Sequence, residues 1–468
     1  MSAPALYSAR EPIFPRRVKG KFRNLKWWIM ALTLGIYYLT PWLRWDRGPN
    51  LPDQAVLIDM ANRRFYFMWI EIWPHEFYFV AGLLIMAGLG LFLFTSALGR
   101  VWCGYTCPQT VWTDLFILVE RWIEGDRNAR VRLHHSKWNF RKWRLRIVKW
   151  AVWLAIAMAT GGAWVFYFAD APTLLRDLII GQASAAAYVT IAVLTATTFV
   201  FGGFMREQVC NYMCPWPRIQ AAMMDPDTIT VTYREWRGEP RGKPRDATKG
   251  DCIDCMACVN VCPAGIDIRD GQQMECITCA LCIDACDDVM DKIGKPRGLI
   301  DYMALTDEPA ERAGNAPKPL WKHIFRPRTI IYTAIWLSIG AALVYALFIR
   351  SDIELTVSPV RNPQYVLQSD GSIRNIYNVR LRNKSGEERD FHLNLTSDEI
   401  LRIEVPNRNA GLSVTVPADS TINQQVFVTS RPQDPAASNH ITALRLWVED
   451  IASGSRASRA TTFNGRGK

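Results

Sequence analysis

Cysteine is the residue on which the chemistry of this sequence turns. Eight of the twelve cysteines fall between positions 252 and 286, in two runs of one spacing. The first is Cys252, Cys255, Cys258 and Cys262, followed by Pro263; the second is Cys276, Cys279, Cys282 and Cys286. This C-x2-C-x2-C-x3-C pattern is that of bacterial two-cluster ferredoxins. A 4Fe-4S cube needs four thiolates around one body. Three come from a tight loop and the fourth from the other run, so the halves interlock. The spacing therefore predicts one cluster on Cys252, Cys255, Cys258 and Cys286, and a second on Cys276, Cys279, Cys282 and Cys262. A structural zinc site would present two short-spaced pairs instead. Asp287, not proline, follows the last cysteine, which alters the turn and removes no ligand.

Four cysteines remain, in a duplicated Cys-x3-Cys-Pro motif. Cys103 and Cys107 precede Pro108, and Cys210 and Cys214 precede Pro215. In a helical turn, positions i and i+4 share a face, so each pair could present two sulfurs together before proline redirects the backbone. If the two segments pack side by side, four thiols meet. Soft thiolates favour Cu(I), zinc or iron–sulfur over hard cations; the plainer alternative is that these cysteines fill a helix interface. Met205, Met213, Met223 and Met224 are nearby thioethers, more in keeping with packing than ligation. His134 and His135 are adjacent, not on one helical face, and read as solvated loop residues.

Five stretches are long and apolar enough to position these motifs at a membrane, which takes about 20 residues each: 27–43, 77–98, 150–169, 186–205 and 329–349. Trp27, Trp28, Trp42, Trp150, Trp153 and Trp164 sit near their ends, as aromatic belts do. The formal charge of the 468-residue chain is +11. Basic residues crowd the N-terminal segment (Arg16, Arg17, Lys19, Lys21, Arg23, Lys26) and the 100–149 loop, whereas the 170–185 loop holds only Arg176. By the positive-inside rule, the N-terminus is cytoplasmic and five spans put the C-terminus outside. The basic balance is then a topology signal, and no nucleic-acid partner is expected. No cleavable signal is evident in the first 26 residues. All twelve cysteines are then expected on the reducing, cytoplasmic side or at that membrane boundary.

The expected organisation is a basic N-terminus (1–26), a four-helix membrane region with both Cys-x3-Cys-Pro motifs (27–215), and a cytoplasmic segment (216–328) with the ferredoxin at about 245–300. A fifth span (329–350) and an outer domain (351–468) follow. In that last region, short alternating runs at 353–357, 376–381, 391–395, 400–405, 412–416, 421–428 and 441–447 are parted by turn signals, including 369–372, 383–386 and 406–407. They predict an immunoglobulin-like β-sandwich without a core disulfide. The fold class is thus a mixed membrane protein: five α-helical spans, a two-cluster ferredoxin-like insert and a β-sandwich.

The whole chain resembles the cytochrome c oxidase accessory family called CcoG, FixG or RdxA. The resemblance rests on the motifs above and on Ile123-Glu124-Gly125-Asp126-Arg127-Asn128-Ala129-Arg130 and Cys286-Asp287-Asp288-Val289-Met290-Asp291-Lys292. It implies an inner-membrane protein acting in assembly of cbb3-type oxidase by reducing Cu(II) to Cu(I), with copper transporters and chaperones as partners. Cys103, Cys107, Cys210 and Cys214 are then candidate copper ligands and the reactive site, fed from an unidentified cytoplasmic donor through the two clusters. Rival readings are a quinol-linked polyferredoxin and a non-redox assembly scaffold. The sequence does not set the oligomeric state, and a homo-oligomer is compatible with it.

Overall fold

The computed structural model describes residues 12–48, 51–243, 246, 248–350, 353–384, 387–406, 412–418 and 420–467. Two turn signals, at 383–386 and 406–407, lie partly outside these residues, as does the expected start of the last domain at 351. The chain divides into two compact units: residues up to 44 with 54–343, and 45–53 with 344–468.

Among the described residues, four helices are long and apolar enough to cross a membrane: Tyr78–Leu98, Phe140–Val165, Ala185–Met205 and Pro327–Phe348. Three correspond closely to the expected stretches. The stretch expected at 150–169 begins earlier, because Asn139 Oδ1 accepts the Lys142 amide at 2.8 Å and caps the helix in its basic segment. The first stretch becomes helix α1, Lys21–Leu39, ended by a 3-10 turn at Thr40–Trp42 that contains Pro41. It carries Lys21, Arg23 and Lys26 in its first two turns and is not one of those four. Helix α2, Tyr78–Leu98, leads into the short α3, Val101–Tyr105, and then α4, Pro108–Glu124.

Helix α4 lies against the Phe140–Val165 helix through a graded set of contacts. Phe116 stacks on Trp153 at 5.2 Å between ring centroids, in a cluster with Val119 and Ala157. One turn on, Glu120 meets Lys149 at 3.4 Å and Arg206 at 2.6 Å, and Arg130 joins them. Burying charges is tolerable only when they are paired in this way. A three-stranded antiparallel sheet, Val56–Asp59, Arg64–Phe67 and Ile70–Ile72, fills the connection between α1 and α2 and was not anticipated.

The iron–sulfur insert extends beyond 245–300. Thr230–Tyr233 pairs antiparallel with Ile300–Met303 and closes the ends of the insert upon each other. Val231, Tyr233, Ile268, Ile283, Met290, Leu299 and Ile300 form its core around the cysteines.

The second unit contains two antiparallel sheets. One pairs Ile353–Pro359, Ile373–Asn383, Thr421–Ser430 and Arg402–Glu404, with Val366–Leu367 at its side; the other pairs Ser413–Val416, Arg389–Ser397, Ile441–Asp450 and Arg456–Asn464. Inward residues of both, such as Val379, Leu381, Leu393, Leu446 and Val448, share one core. Strand Arg456–Asn464 lacks an apolar run and was not expected from sequence.

Candidate metal centres

The two ferredoxin loops are backbone copies of each other. Asp254 and Met256 have φ of 55° and 57°, and the equivalent Thr278 and Ala280 have φ of 53° and 58°. Left-handed conformations are costly for side-chain-bearing residues. Two per loop, at matched positions, allow the chain to wrap a body between its cysteines. Helices Ala257–Val261 and Leu281–Ile293 start immediately after the second left-handed residue of each loop.

Cysteines of the two runs lie near one another across the insert. The Cys286 thiol is pushed up to about 12, first by burial and then by charges that include Cys258, Cys255 and Cys252. Burial likewise raises Cys262 to about 12, with Cys279 and Cys276 as neighbours. Cys282 is raised well above its ordinary value by burial and by Cys279, Cys276 and Cys262. Cys252, Cys255, Cys258 and Cys286 also line one small cavity. Four sulfurs turned on a shared space suit a 4Fe-4S cube, whose positive irons would hold the thiolate charge that burial alone disfavours. Cys255 is the only exposed cysteine of the twelve. The Cys252/Cys255/Cys258/Cys286 set is therefore the outer one.

The Cys-x3-Cys-Pro pairs are not single helical turns. Cys103 lies in α3, but Cys107 is extended, with φ −57° and ψ 129°, and precedes α4. Cys210 lies in a π-turn, Val209–Met213, and Cys214 is extended with φ −80° and ψ 124°. A residue before proline avoids the helical region, which explains both departures. The two copies match in detail: Cys107 N–H donates to Trp102 O at 3.0 Å, and Cys214 N–H to Val209 O at 2.8 Å, each five residues back. The four thiols are brought together. Burial raises Cys103, with Cys107 and Cys214 adding to the shift, and raises Cys210 to about 12, with Cys107, Cys103 and Cys214 contributing.

This group sits directly on the inner ferredoxin loop. A Cβ on Gly104 would fall 2.6 Å from Ile277 O and 3.1 Å from Cys279 Cα. Tyr105 Oη donates to Cys279 O at 3.1 Å, Tyr302 Oη to Thr278 O at 3.0 Å, and Arg100 Nη1 to Cys276 O at 2.9 Å. Cys103 Sγ donates to Gln220 Oε1 at 3.1 Å. Sequence reasoning missed Arg100, Gly104, Tyr105, Gln220 and Tyr302. A glycine directly after a candidate ligand was the one visible signal, since glycine permits close backbone approach.

Met213 is exposed. Exposed His134 and His135 pack ring to ring at 5.3 Å, and His134 against Phe14, without joining the thiol groups.

Both groups of cysteines lie in segments that match iron–sulfur families. The description "4Fe-4S dicluster domain" matches residues 205–305, "4Fe-4S binding domain" matches 79–127, and the IG-like fold at the C-terminus of FixG matches 343–466. Protein RdxB of Cereibacter sphaeroides is 68% identical, covering 99% of this chain and 98% of its own. The chain belongs to the FixG/RdxA family. Protein RdxA of the same organism is 62% identical over 96% of each chain, and the nitrogen fixation protein FixG of Rhizobium meliloti is 55% identical over 91% of this chain and 87% of its own. A crystal structure of a FixG-related protein from Vibrio parahaemolyticus covers 25% of this chain and 99% of its own, at 14% identity and a TM-score of 0.22. As a FixG/RdxA protein with apolar spanning helices, the chain is a membrane-associated iron–sulfur electron-transfer protein.

Proposed function

We propose that this chain carries single electrons through the bacterial inner membrane's cytoplasmic face to copper, reducing Cu(II) to Cu(I) during assembly of cbb3-type cytochrome c oxidase. The observation that carries this reading is the packing of Gly104, Tyr105 and Arg100 on the Cys276–Cys279 backbone. It puts the Cys103/Cys107/Cys210/Cys214 group next to the inner ferredoxin set, with the outer set reaching solvent at Cys255. A soluble one-electron donor protein gives up one electron at the Cys255 face; Cu(II) gains it and becomes Cu(I), with no proton required. The Cys-x3-Cys-Pro group is the place of delivery, and soft sulfur there favours the product oxidation state. Copper transporters and chaperones would take the product onward, in keeping with the family resemblance.

The proposed topology has five spans, clusters in the cytoplasm and the C-terminal domain in the periplasm. Helix α1 supports the fifth crossing. At its start, the Phe22 and Arg23 amides donate to Asp284 of the ferredoxin insert, and Arg23 Nη1 meets Asp114 at 2.9 Å. At its other end, Tyr37 Oη donates to Thr160 O at 2.7 Å, and Tyr37 O accepts from Tyr167 Oη at 2.9 Å. Its 19 residues run about 28 Å at 1.5 Å per residue, close to a hydrocarbon thickness of about 30 Å. Its basic residues are at the paired, inner end.

The test is anaerobic purification, reduction, and titration with Cu(II) while Cu(I) is trapped by a colorimetric chelator. One Cu(I) per electron stored is expected. Clusters that are not reoxidised by Cu(II) would exclude copper as acceptor.

A second reading has one observation in its favour. An apolar cavity lined by residues including Phe22, Phe94, Trp102, Tyr105 and Tyr302 adjoins the inner ferredoxin loop. It would suit a membrane quinol, which would yield two electrons and two protons to two one-electron centres. Stoichiometric reduction by menaquinol or ubiquinol, without a soluble donor, would favour it.

A further inference from the structure

We infer that the elbow between helix α5, Arg127–His135, and helix α6, Phe140–Val165, binds the headgroups of anionic phospholipids. The inference goes beyond the electron-transfer reading. It rests only on α6 being a membrane-crossing helix.

The first observation is unpaired charge. From Arg127 to Lys149 the chain carries nine Lys and Arg residues and no Asp or Glu. Four of the nine are engaged inside the protein. Arg130 and Lys149 meet Glu120, and Arg146 meets Glu124 at 3.1 Å. Lys142 Nζ donates to His134 O at 2.9 Å and to Ser136 O at 2.6 Å. Arg132, Lys137, Arg141 and Arg144 are exposed, and among the described residues they have no carboxylate partner.

The second observation is that large rings share this surface. Trp122 is 86% exposed and Phe140 83%, and Trp138 and Trp143 are exposed beside them. The Trp138 and Trp143 rings pack at 4.7 Å, and Lys142 Nζ lies 4.8 Å from the Trp138 ring centre. Apolar surface left open and rimmed by cations marks an interaction site. Rings and cations together are what the headgroup layer of a bilayer accommodates.

The third observation is continuity with the lipid-facing side of the span. Phe140, Arg144, Ile147, Ala151, Leu154 and Met158 are all exposed. They recur every three or four residues and so form one stripe along α6. The opposite side, with Lys149 and Trp153, is buried against α4. The stripe is apolar from Ile147 onward and turns cationic at Arg144. The 26 residues of α6 run about 39 Å at 1.5 Å per residue, longer than a hydrocarbon layer of about 30 Å. The basic first two turns therefore stand at headgroup level. A phosphodiester there meets the forked donors of Arg141 and Arg144, and its acyl chains lie along Ile147–Met158. A nucleic acid would use the cations but leave the apolar stripe uncovered.

The experiment measures lipid binding to the full chain, purified in detergent, by native mass spectrometry. Phosphatidylglycerol and phosphatidylcholine are titrated onto the parent, onto Arg141→Gln/Arg144→Gln, and onto Lys243→Gln/Lys249→Gln, which removes two exposed cations of the iron–sulfur insert. The parent should prefer phosphatidylglycerol. Its affinity should fall about 25-fold in the first variant, at about fivefold per cation removed, and stay unchanged in the second. Equal affinity of the parent for both lipids would overturn the inference. So would an equal loss in both variants, which would reduce the effect to net charge. Displacement of phosphatidylglycerol by equimolar inorganic phosphate would overturn it in favour of a free-phosphate site, and displacement by a short DNA duplex in favour of nucleic acid. If the first variant does not accumulate, the parent decides with brominated lipids. Brominated phosphatidylglycerol should quench tryptophan fluorescence more than brominated phosphatidylcholine at the same low mole fraction, and equal quenching would overturn the site. None of these measurements reads iron or copper, so their failure leaves the electron-transfer reading standing.

Discussion

Gly104 is pressed against the backbone of Cys279, so that any side chain at 104 would have to displace the inner ferredoxin loop. Gly104→Ala should therefore separate the two sulfur groups. Overpacking of this kind costs about 1–3 kcal/mol. Iron content should stay at the parent level while the rate of reoxidation by the acceptor falls, measured by stopped-flow absorbance. An unchanged rate would mean that electrons do not leave through this contact.

The left-handed residues make the loops improvable. Ala280 has φ of 58° with no side-chain hydrogen bond at that helix start. Ala280→Gly should relieve roughly 1 kcal/mol of backbone cost and raise the denaturant midpoint for loss of visible cluster absorbance. A lower midpoint would show that glycine's greater freedom in the unfolded chain outweighs the relief.

Glu120 holds three cations, Arg130, Lys149 and Arg206, in a buried site. Glu120→Gln should destabilise the protein by about 3–5 kcal/mol, the usual cost of leaving buried charge unpaired. Adding Arg206→Met should recover part of the loss, read as thermal unfolding in detergent.

Asp225 supplies a pH dependence. Burial would push its carboxyl up, but hydrogen bonds from Arg326 and Arg328, at 2.5 and 2.8 Å, overcome this and hold it below the ordinary aspartate range. A depressed carboxylate adds stability that is fully present above its unfolded value and is lost as pH falls through the folded value. Asp225→Asn should thus be less stable than the parent at neutral pH, with the gap closing on acidification. A gap constant across the acid range would show that the pairing is not electrostatic.

Exposure predicts the order of cluster loss. Cys255 is open to solvent, and no ligand of the inner set is exposed. Oxygen or an iron chelator should remove iron in phases, the Cys252/Cys255/Cys258/Cys286 set first. Cys255→Ser should abolish or accelerate that first phase and leave the later loss unchanged. A single phase for all iron would contradict the outer–inner distinction.

Local spacing determined a great deal. The dicluster segment was legible in the spacing of its eight cysteines because a cube imposes its size on the loops that wrap it. The spans 77–98, 186–205 and 329–349 were legible because a bilayer demands long apolar runs. Seven strands of the last domain showed in their alternation. Strand Arg456–Asn464 did not, since its only fully buried large side chain is Phe463 and the edge position is set by pairing with Ile441–Asp450. The first span, expected at 27–43, is the shortest and has Pro41 near its end; its helix starts earlier, at Lys21, and takes in Arg23 and Lys26, whose partner Asp114 lies about 90 residues away. The i, i+4 geometry assumed for the Cys-x3-Cys-Pro pairs gave way to an extended cysteine before each proline, a local constraint that sequence already contained. Only the tertiary structure could decide that two loops a hundred residues apart face each other, and that Gly104 and Arg100 join them to Cys279 and Cys276. Contacts of that kind arise from helix packing and charge pairing between distant segments, which no spacing along a single strand of sequence encodes.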